Sequence, residues 1–420
     1  MHVFNFDKKL TEIAEKAQDK VFDTFLRIEK NCCHNSEKVL KAFIDSGVSD
    51  MHLKGTTGYG YGDVGRDKID EVYAKAFGAE DALVRHGFVN GTHAITTALF
   101  GLLRPGDTML SVTGRPYDTL EQVIFAESGG SLKEFGVKYS QIDLLPNGKP
   151  DLNEIAQQAS AAKMIYVQRS RGYSLRPSLS VSTIGEIVEA VRASGSKAAV
   201  VVDNCYGEFA EWVEPTSVGA DLIIGSLIKN PGGGIASTGG YIAGRKDLVE
   251  LCSYRLTTVG AGKEVGCSLN QNREILMGFF NAPLAVTNAL KTSAFASAFF
   301  EELGFETFPK YREYKTDIIC SVKLGTPERL TAFCEGIQSA SPVDSNAMPE
   351  PWDMPGYNCK VIMAAGCFTN GSSIELSADA PLREPYAVWL QGGTSYYAAM
   401  AGVMNGAQRM LDKGLLTLPE

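Results

Sequence analysis

The spacing of hydrophobic positions changes along the chain and divides it into three predicted regions. In residues 11–30 and 36–46, apolar side chains recur at helical spacing, so residues 1–58 are predicted to form a helical arm. From residue 59 to residue 294, short apolar runs alternate with helical stretches. That alternation indicates a mostly parallel sheet covered on both faces by helices. Residues 295–420 are predicted to form a smaller α+β domain.

Several elements of the two larger regions can be placed individually. Four apolar runs indicate strands of the large sheet: residues 108–112, 164–167, 197–202 and 222–224. In the smaller domain, Thr326 and Pro327 predict the start of a helix over residues 328–338, and residues 360–364 are predicted to form a strand. The proline-rich stretch between them, residues 339–357, is predicted to be an ordered loop over the entrance to the site.

Composition narrows the class of protein without changing this outline. The chain has 420 residues, 44% of them hydrophobic, and a net charge of −9. An acidic chain does not suit a surface that follows nucleic-acid phosphates, and no stretch approaches the length of a membrane span. The nine cysteines have no regular spacing, and the five histidines lack a metal-binding pattern. We therefore predict a cytoplasmic enzyme with reduced thiols and without a metal site.

Lys229 stands at the end of a short apolar run and is followed by Asn230, Pro231 and three glycines. An unpaired lysine behind a buried strand is costly, because the ammonium loses its hydration. Imine formation with an aldehyde cofactor removes that cost, so Lys229 is predicted to bind pyridoxal phosphate. Ser226, three positions earlier, can donate a hydrogen bond to the phosphate. The alternative for Lys229 is a surface lysine at a strand end.

Asp203 follows the predicted strand over residues 197–202. Ligands of open α/β sheets collect beyond the carboxyl ends of the strands, so Asp203 and Lys229 are expected to face one crevice. A carboxylate against the pyridine nitrogen keeps that nitrogen protonated and makes the ring an electron sink. The alternative for Asp203 is a helix or turn cap.

Asn90, Gly91 and Thr92 precede a run with apolar residues at helical spacing, so they are predicted to form the N-terminus of a helix. Free backbone amides and the helix dipole suit a phosphate there, and Gly91 permits its close approach. Plain N-capping by Asn90 explains the same residues.

The order of these motifs resembles the fold-type I pyridoxal phosphate enzymes of cysteine and methionine metabolism. Residues 168–173, 203–209 and 373–379 resemble more closely the bacterial methionine gamma-lyase-like family, whose members are often labelled aluminium resistance proteins. The likeness extends over residues 59–393. It implies an α/β fold of the fold-type I transferase-like kind, with a mostly parallel seven-stranded sheet in the large domain, and pyridoxal phosphate as the cofactor.

Carried over residue by residue, the resemblance implies that Lys229 forms the imine and that Asp203 pairs with the pyridine nitrogen. It implies that Tyr117 stacks on the ring, although a core or turn aromatic is the alternative there. Tyr59 corresponds to a tyrosine that reaches the phosphate of a neighbouring subunit. The resemblance therefore implies a homodimer or homotetramer whose sites are shared between subunits.

The chain also departs from the lyase pattern. Tyr61 stands where the lyases carry an arginine, Ile228 replaces a phosphate-binding threonine, and Glu375 precedes a Leu-Ser pair where an arginine commonly binds the substrate carboxylate. An ionised Glu375 cannot hold a carboxylate. Three arginines are candidates for that role instead: Arg383, Arg169 and Arg171.

These features predict a pyridoxal phosphate-dependent carbon–sulfur lyase acting on an amino acid such as cystathionine, cysteine or methionine. Lys229, with its pKa lowered by desolvation and a neighbouring positive charge, is predicted to remove the α-proton. Tyr117 is the candidate acid for a γ-elimination, and β- and γ-elimination both remain open. The alternatives are an aldolase or a transferase on a small amino acid, or a weakly catalytic cofactor-binding sensor, which the Glu375 departure would favour.

Overall fold

The computed structural model describes residues 3–354 and 357–419. Its larger sheet has seven strands in the spatial order β1-β7-β6-β5-β4-β2-β3. These strands are β1 (Asp81–Arg85), β2 (Thr108–Ser111), β3 (Lys138–Gln141), β4 (Met164–Gln168), β5 (Ala199–Asp203), β6 (Leu222–Ser226) and β7 (Gly240–Gly244). Only β7 runs antiparallel to its neighbours. The predicted mostly parallel sheet is therefore confirmed, together with its four individually placed strands.

Helices cover this sheet, because its central strands are apolar on both faces. Val200, Val201 and Val202 of β5 are all fully buried, as expected for a parallel sheet between helical layers. The helices of this region are α3 (Val64–Ala76), α4 (Gly91–Leu102), α5 (Asp118–Phe125), α6 (Leu152–Gln158), α7 (Val181–Ala193) and α8 (Lys246–Leu256).

The N-terminal arm consists of α1 (Lys8–Lys20) and α2 (Phe22–Asp45). The predicted break between residues 30 and 36 is wrong, because α2 passes through it without interruption. Two polar residues within this interval, Asn31 and Asn35, are buried helix positions. Asn31 donates to Phe209 O at 2.8 Å, and Asn35 donates to Glu211 O at 3.0 Å. These bonds fasten the arm to the loop that follows β5.

Helix α9 (Asn272–Glu302) leads from the first sheet to the second, and the predicted domain boundary at residues 294 and 295 lies within it. The second sheet has five antiparallel strands in the order β10-β11-β12-β9-β8. They are β8 (Glu306–Phe308), β9 (Cys320–Lys323), β10 (Val361–Ala364), β11 (Ser377–Pro381) and β12 (Ala387–Gln391), accompanied by α10 (Pro327–Ser339) and α11 (Tyr396–Asp412). The predicted helix that starts after Thr326 is confirmed, since the Thr326 side chain accepts from Arg329 N.

The fold places the carboxyl ends of three neighbouring strands of the large sheet opposite the small sheet. Gln168 and Asp203 end β4 and β5 and lie in register with Ile224 of β6, two residues before that strand ends at Ser226. Part of the predicted entrance loop, residues 355 and 356, lies outside the described residues. Within residues 3–354 and 357–419, no helix combines the length and hydropathy that crossing a membrane requires.

Candidate active site

A cavity of about 740 Å³ lies between the carboxyl ends of β4 to β6 and the small sheet. Most of the residues that the sequence singles out line it: Asn90, Gly91, Thr92, Tyr117, Arg171, Asp203, Ser226, Lys229 and Arg383. Tyr59 and Arg169 do not. Met354 and Tyr357, from the predicted entrance loop, also line the cavity.

Lys229 begins the short turn after β6 and directs its amine into this cavity. Its Nζ lies 4.1 Å from the centroid of the Tyr206 ring, which is a cation–π contact. Burial lowers the pKa of Lys229, but the acidic groups of Cys205, Tyr206 and Asp203 raise it more, and the net pKa lies well above the ordinary lysine value. The predicted lowering of this pKa applies to the lysine freed beside a bound cofactor, and it stays a prediction.

Helix α9 supports the Lys229 turn from behind. The backbones of Gly232 and Gly278 approach so closely that a Cβ added at Gly278 would lie 2.3 Å from Gly232 O. Any side chain at Gly278 would therefore displace the turn that carries Lys229.

Asp203 ends β5 and is buried beside the cavity. Burial raises the pKa of Asp203, while the Lys229 charge acts in the opposite direction. Its Oδ1 also accepts a hydrogen bond from Cys205 N at 3.1 Å, so the turn-cap role and the strand-end position coexist. A buried carboxylate of this kind is stabilised by a cationic partner in the cavity.

The N-terminus of α4 faces the same space. Asn90 caps the helix, since its Oδ1 accepts from His93 N at 2.9 Å, and the capping alternative is confirmed. Gly91 packs tightly, because an added Cβ would lie 3.3 Å from Ser226 Cβ and 3.4 Å from Cys205 Sγ. The Ser226 hydroxyl is buried and has no hydrogen-bond partner among the described residues. A phosphate at this helix end would satisfy that hydroxyl and the free amides.

Tyr117 lies between the helix end and Asp203. Its backbone N donates to Gln168 Oε1 at 2.9 Å, and its hydroxyl lies 3.0 Å from Thr92 Oγ1. Burial and the Asp203 charge raise the pKa of Tyr117 far above its ordinary value. Tyr117 therefore keeps its proton and can act as a hydrogen-bond donor or an acid.

The three candidate arginines differ in what they bind. Arg169 is fully buried outside the cavity, where it donates to Asn204 Oδ1 and Glu211 Oε2, both at 2.7 Å. Its prediction as a substrate-binding residue is wrong, because its charge is already paired inside the protein.

Arg171 lines the cavity but is also engaged. Its Nη1 donates to Phe308 O at 2.9 Å, and its Nη2 lies 3.6 Å from Asp317. The Arg383 guanidinium, in contrast, has no hydrogen-bond acceptor within the described part of the chain. It is half-buried in the cavity wall. Burial raises the pKa of the neighbouring Asp118, and the charge of Arg383 partly offsets this rise. Arg383 is thus the arginine that is free to bind an anion.

Glu375 does not face the cavity. Its two carboxylate oxygens accept from Phe368 N at 2.9 Å and from Thr369 N at 3.1 Å. This agrees with the expectation that an ionised Glu375 does not bind the substrate carboxylate, because both of its oxygens stabilise a turn. A glutamate that stabilises a turn outside the cavity gives no support to a cofactor-binding sensor.

Tyr59 lies on the surface, with 75% of its area exposed and its ring stacked on Tyr61 at 5.5 Å. The cavity of a single chain therefore contains no contribution from Tyr59.

Several cavity residues were not assigned from the sequence: Gln168, Tyr173, Tyr206, Asp379, Trp389 and Gln391. A carboxylate at position 379, in a strand of small and apolar residues, is a signal that was available. Trp389 and Gln391 gave no such signal, since their strand is recognisable only once its pairing with β11 is known. Among the residues that the structure describes, no group of three or more metal-ligating side chains occurs.

Comparison with known proteins gives consistent results. A family model described as methionine gamma-lyase matches residues 10–411. The uncharacterized protein YnbB of Bacillus subtilis is 45% identical over 411 residues, which cover 97% of this chain and 98% of that protein.

Solved structures extend this similarity to the fold. A carbon-sulfur lyase involved in aluminum resistance from Clostridium novyi NT is 47% identical with a TM-score of 0.93, and the match covers 97% of each chain. A cystathionine gamma synthase from Xanthomonas oryzae pv. oryzae is 16% identical with a TM-score of 0.60, over 91% of this chain and 99% of that one. The second likeness shows the fold alone, that of a fold-type I pyridoxal phosphate enzyme.

Proposed function

The chain belongs to the methionine gamma-lyase family and is a pyridoxal phosphate-dependent carbon–sulfur lyase, and we propose that Lys229 is its central catalytic residue. The substrate is a sulfur-containing amino acid such as cystathionine, cysteine or methionine. The carbon–sulfur bond breaks by β- or γ-elimination, sulfur leaves with a proton as a thiol, and the remaining skeleton takes up water to give a 2-oxo acid and ammonium. The family match does not favour an aldolase or a transferase.

One observation carries this assignment of residues. Lys229, the buried Asp203 carboxylate and the unpartnered Ser226 hydroxyl face a single cavity at the end of the parallel strands. Pyridoxal phosphate contains a matching group for each of them. Its aldehyde would react with the Lys229 amine, its ring nitrogen would pair with the Asp203 carboxylate, and its phosphate would accept from the Ser226 hydroxyl.

The cofactor-holding residues follow from this geometry. Gly91, Thr92 and Ser226 would bind the phosphate, Asp203 would pair with the ring nitrogen, and Tyr117 would lie against the ring. When bound, pyridoxal phosphate supplies an electron-withdrawing ring that stabilises negative charge on the substrate α-carbon.

Lys229 has to be neutral before it accepts the α-proton. In the protein alone, the acidic groups of Cys205, Tyr206 and Asp203 together hold the pKa of Lys229 above its ordinary value, so the amine is an ammonium. A cation paired with Asp203 would remove part of this effect. Arg383 binds the substrate carboxylate through its free guanidinium, which fixes the α-carbon relative to Lys229. Tyr117, which keeps its proton, is the acid for the second proton shift of a γ-elimination.

We also propose that the enzyme works as a homodimer or homotetramer in the cytoplasm. A patch of exposed apolar side chains on the packed helices α2 and α9 supports an interface: Leu40, Ile44, Met277, Phe280 and Leu284. The exposed Tyr59 is available to a neighbouring subunit, and the nine free cysteines suit a reducing compartment.

Borohydride reduction tests the role of Lys229. In the wild-type holoenzyme, reduction is expected to attach the cofactor covalently to the peptide that contains Lys229, as measured by peptide mass spectrometry. The Lys229→Ala variant is expected to bind the cofactor only reversibly and to release 2-oxo acid at least about 100-fold more slowly, because it lacks the proton acceptor.

Lys149→Ala, which removes an exposed lysine, serves as the matched control and should behave as wild type. Full turnover by Lys229→Ala would show that the catalytic assignment is wrong.

A further inference from the structure

The small-sheet wall of the cavity contains a recess formed by Asp379, Tyr173, Tyr357 and Trp389. Asp379 projects from β11, and Trp389 is its register partner on β12. The Tyr173 ring lies 5.3 Å from the Trp389 ring and 5.7 Å from the Tyr357 ring. All four residues line the same cavity as Lys229. This Asp379 recess therefore combines one carboxylate with three aromatic rings.

The Asp379 carboxylate is held in place by neutral donors only. Its Oδ2 accepts from the Tyr173 hydroxyl at 3.0 Å and from Gln391 Nε2 at 2.9 Å. Within the described residues, no lysine or arginine forms an ion pair with it. Burial raises the pKa of Asp379 to about 6, so the group is mainly ionised at neutral pH. The recess thus holds a negative charge without a paired cation.

The surroundings of the Asp379 carboxylate favour a cationic ligand group in the recess. Aromatic faces attract cations through their quadrupoles, and the attraction grows as the cation is desolvated. A carboxylate beneath such faces adds a charge-assisted hydrogen bond to any N–H donor. The charge of Lys229 lowers the pKa of Asp379. In the proposed function, however, the Lys229 amine binds the cofactor and is not available as a partner for Asp379.

We propose that the Asp379 recess binds an ammonium group on the far side of the substrate's sulfur atom. The α-amine of the substrate is used at Lys229, so the cation in the recess belongs to the leaving group. The inference rests on the proposed function and narrows it. The preferred substrates are thioether amino acids with a second amine, whereas the methyl group of methionine leaves the carboxylate without a counterion.

Two thioethers of equal length test this inference on the holoenzyme. S-(2-aminoethyl)cysteine and S-propylcysteine differ in whether the chain beyond sulfur ends in an ammonium or a methyl group. Wild type is expected to show a kcat/KM at least about 30-fold higher for the aminoethyl compound, in line with the effect of removing one partner of a buried charge pair. The measurement is the release of the 2-oxo acid.

The Asp379→Asn variant separates recognition from chemistry. Its kcat/KM for S-(2-aminoethyl)cysteine should fall at least about 30-fold, mostly through KM, while S-propylcysteine turnover changes less than about threefold. That second turnover also shows that the variant folds. Asp353→Asn, which changes an exposed acid near the same wall, is expected to keep the wild-type preference.

Each other outcome has a definite meaning. Equal kcat/KM values for the two thioethers in wild type would overturn the inference and leave the lyase intact. A parallel loss of kcat on both compounds in Asp379→Asn would overturn it as well, since it would make Asp379 an acid for the leaving sulfur. If wild type releases 2-oxo acid from neither compound nor from cystathionine, cysteine or methionine, the proposed function itself fails.

Discussion

Arg169 and Arg171 stand two positions apart and serve different parts of the molecule. Arg169 is buried against Asn204 and Glu211, whereas Arg171 reaches the cavity wall. The difference arises because the loop after β5 carries Glu211, which pairs with Arg169 directly after the end of β4. Whether a strand-end arginine binds a ligand or a neighbouring loop depends on contacts that are distant in sequence.

Replacing Arg169 and Arg383 separately should show these two roles. Arg169→Gln is expected to lower the free energy of unfolding by about 3–5 kcal/mol, because it leaves Glu211 and the buried Glu214 without their cation. Arg383→Gln is expected to change stability by less than about 0.5 kcal/mol and to raise KM for the amino acid at least about tenfold. Denaturant unfolding and steady-state kinetics measure the two effects. An Arg169→Gln protein of normal stability with a raised KM would contradict the structural role.

Residues whose chemistry is tied to a strand end were predictable from the sequence. Lys229 and Asp203 follow apolar runs, and the edge shared by parallel strands brings them to one cavity. The turn contacts of Glu375 were not predictable, because a Leu-Ser pair does not indicate which side of the sheet the preceding side chain faces. The unpaired charge of Asp379 becomes visible only when β11 and β12 are paired.

At the level of elements, the site depends on how closely the start of α4 meets the end of β6. Gly91 makes this approach possible, because even a methyl group there would press on Ser226 and Cys205. The predicted helix start is therefore also a packing contact. The sequence predicted that Gly91 allows a phosphate to approach. It did not predict that Gly91 also packs against Ser226, because β6 lies more than a hundred residues later in the chain.

Gly91→Val should therefore weaken cofactor binding. The larger side chain has to push α4 away from β6, which moves the helix amides from the phosphate, and we expect the Kd for pyridoxal phosphate to rise at least about tenfold. Fluorescence titration of the apoprotein measures this. Gly87→Val provides the control, since a Cβ at Gly87 meets no atom within 4 Å. An unchanged Kd for Gly91→Val would show that the phosphate binds elsewhere.

The N-terminal arm shows where element prediction failed. A polar stretch inside a long helix resembles a connection between two helices when only periodicity is considered. Here Asn31 and Asn35 bond to backbone carbonyls of another loop, so tertiary contacts replace the hydration that a polar surface would need.

At the scale of the whole molecule, one chain is not expected to complete its own site. Tyr59 is exposed and does not line the cavity, and the apolar patch on α2 and α9 is not covered by any other described residue of the chain. A two-fold assembly that buries this patch would explain both observations.

Mixing two inactive variants tests the shared site. Lys229→Ala and Tyr59→Ala subunits, co-expressed, should regain about a quarter of wild-type activity, because half of randomly assembled dimers would contain one intact site. The 2-oxo acid assay on the unfractionated mixture of co-expressed dimers measures the recovery. Separately purified variants that are never allowed to assemble together are the control. Recovery no greater than the sum of the two variants would place Tyr59 outside the partner's site.

Helix α9 has a mechanical consequence. It packs behind the Lys229 turn at Gly278 and continues without a break into the small-sheet half. Residues 294 and 295 lie inside this continuous helix, so we do not expect a hinge between the two halves there; the weakest point of α9 is Pro283, which removes one helical hydrogen bond. Substrate exchange is therefore expected to leave the spacing between the two sheets unchanged, because one continuous helix connects them.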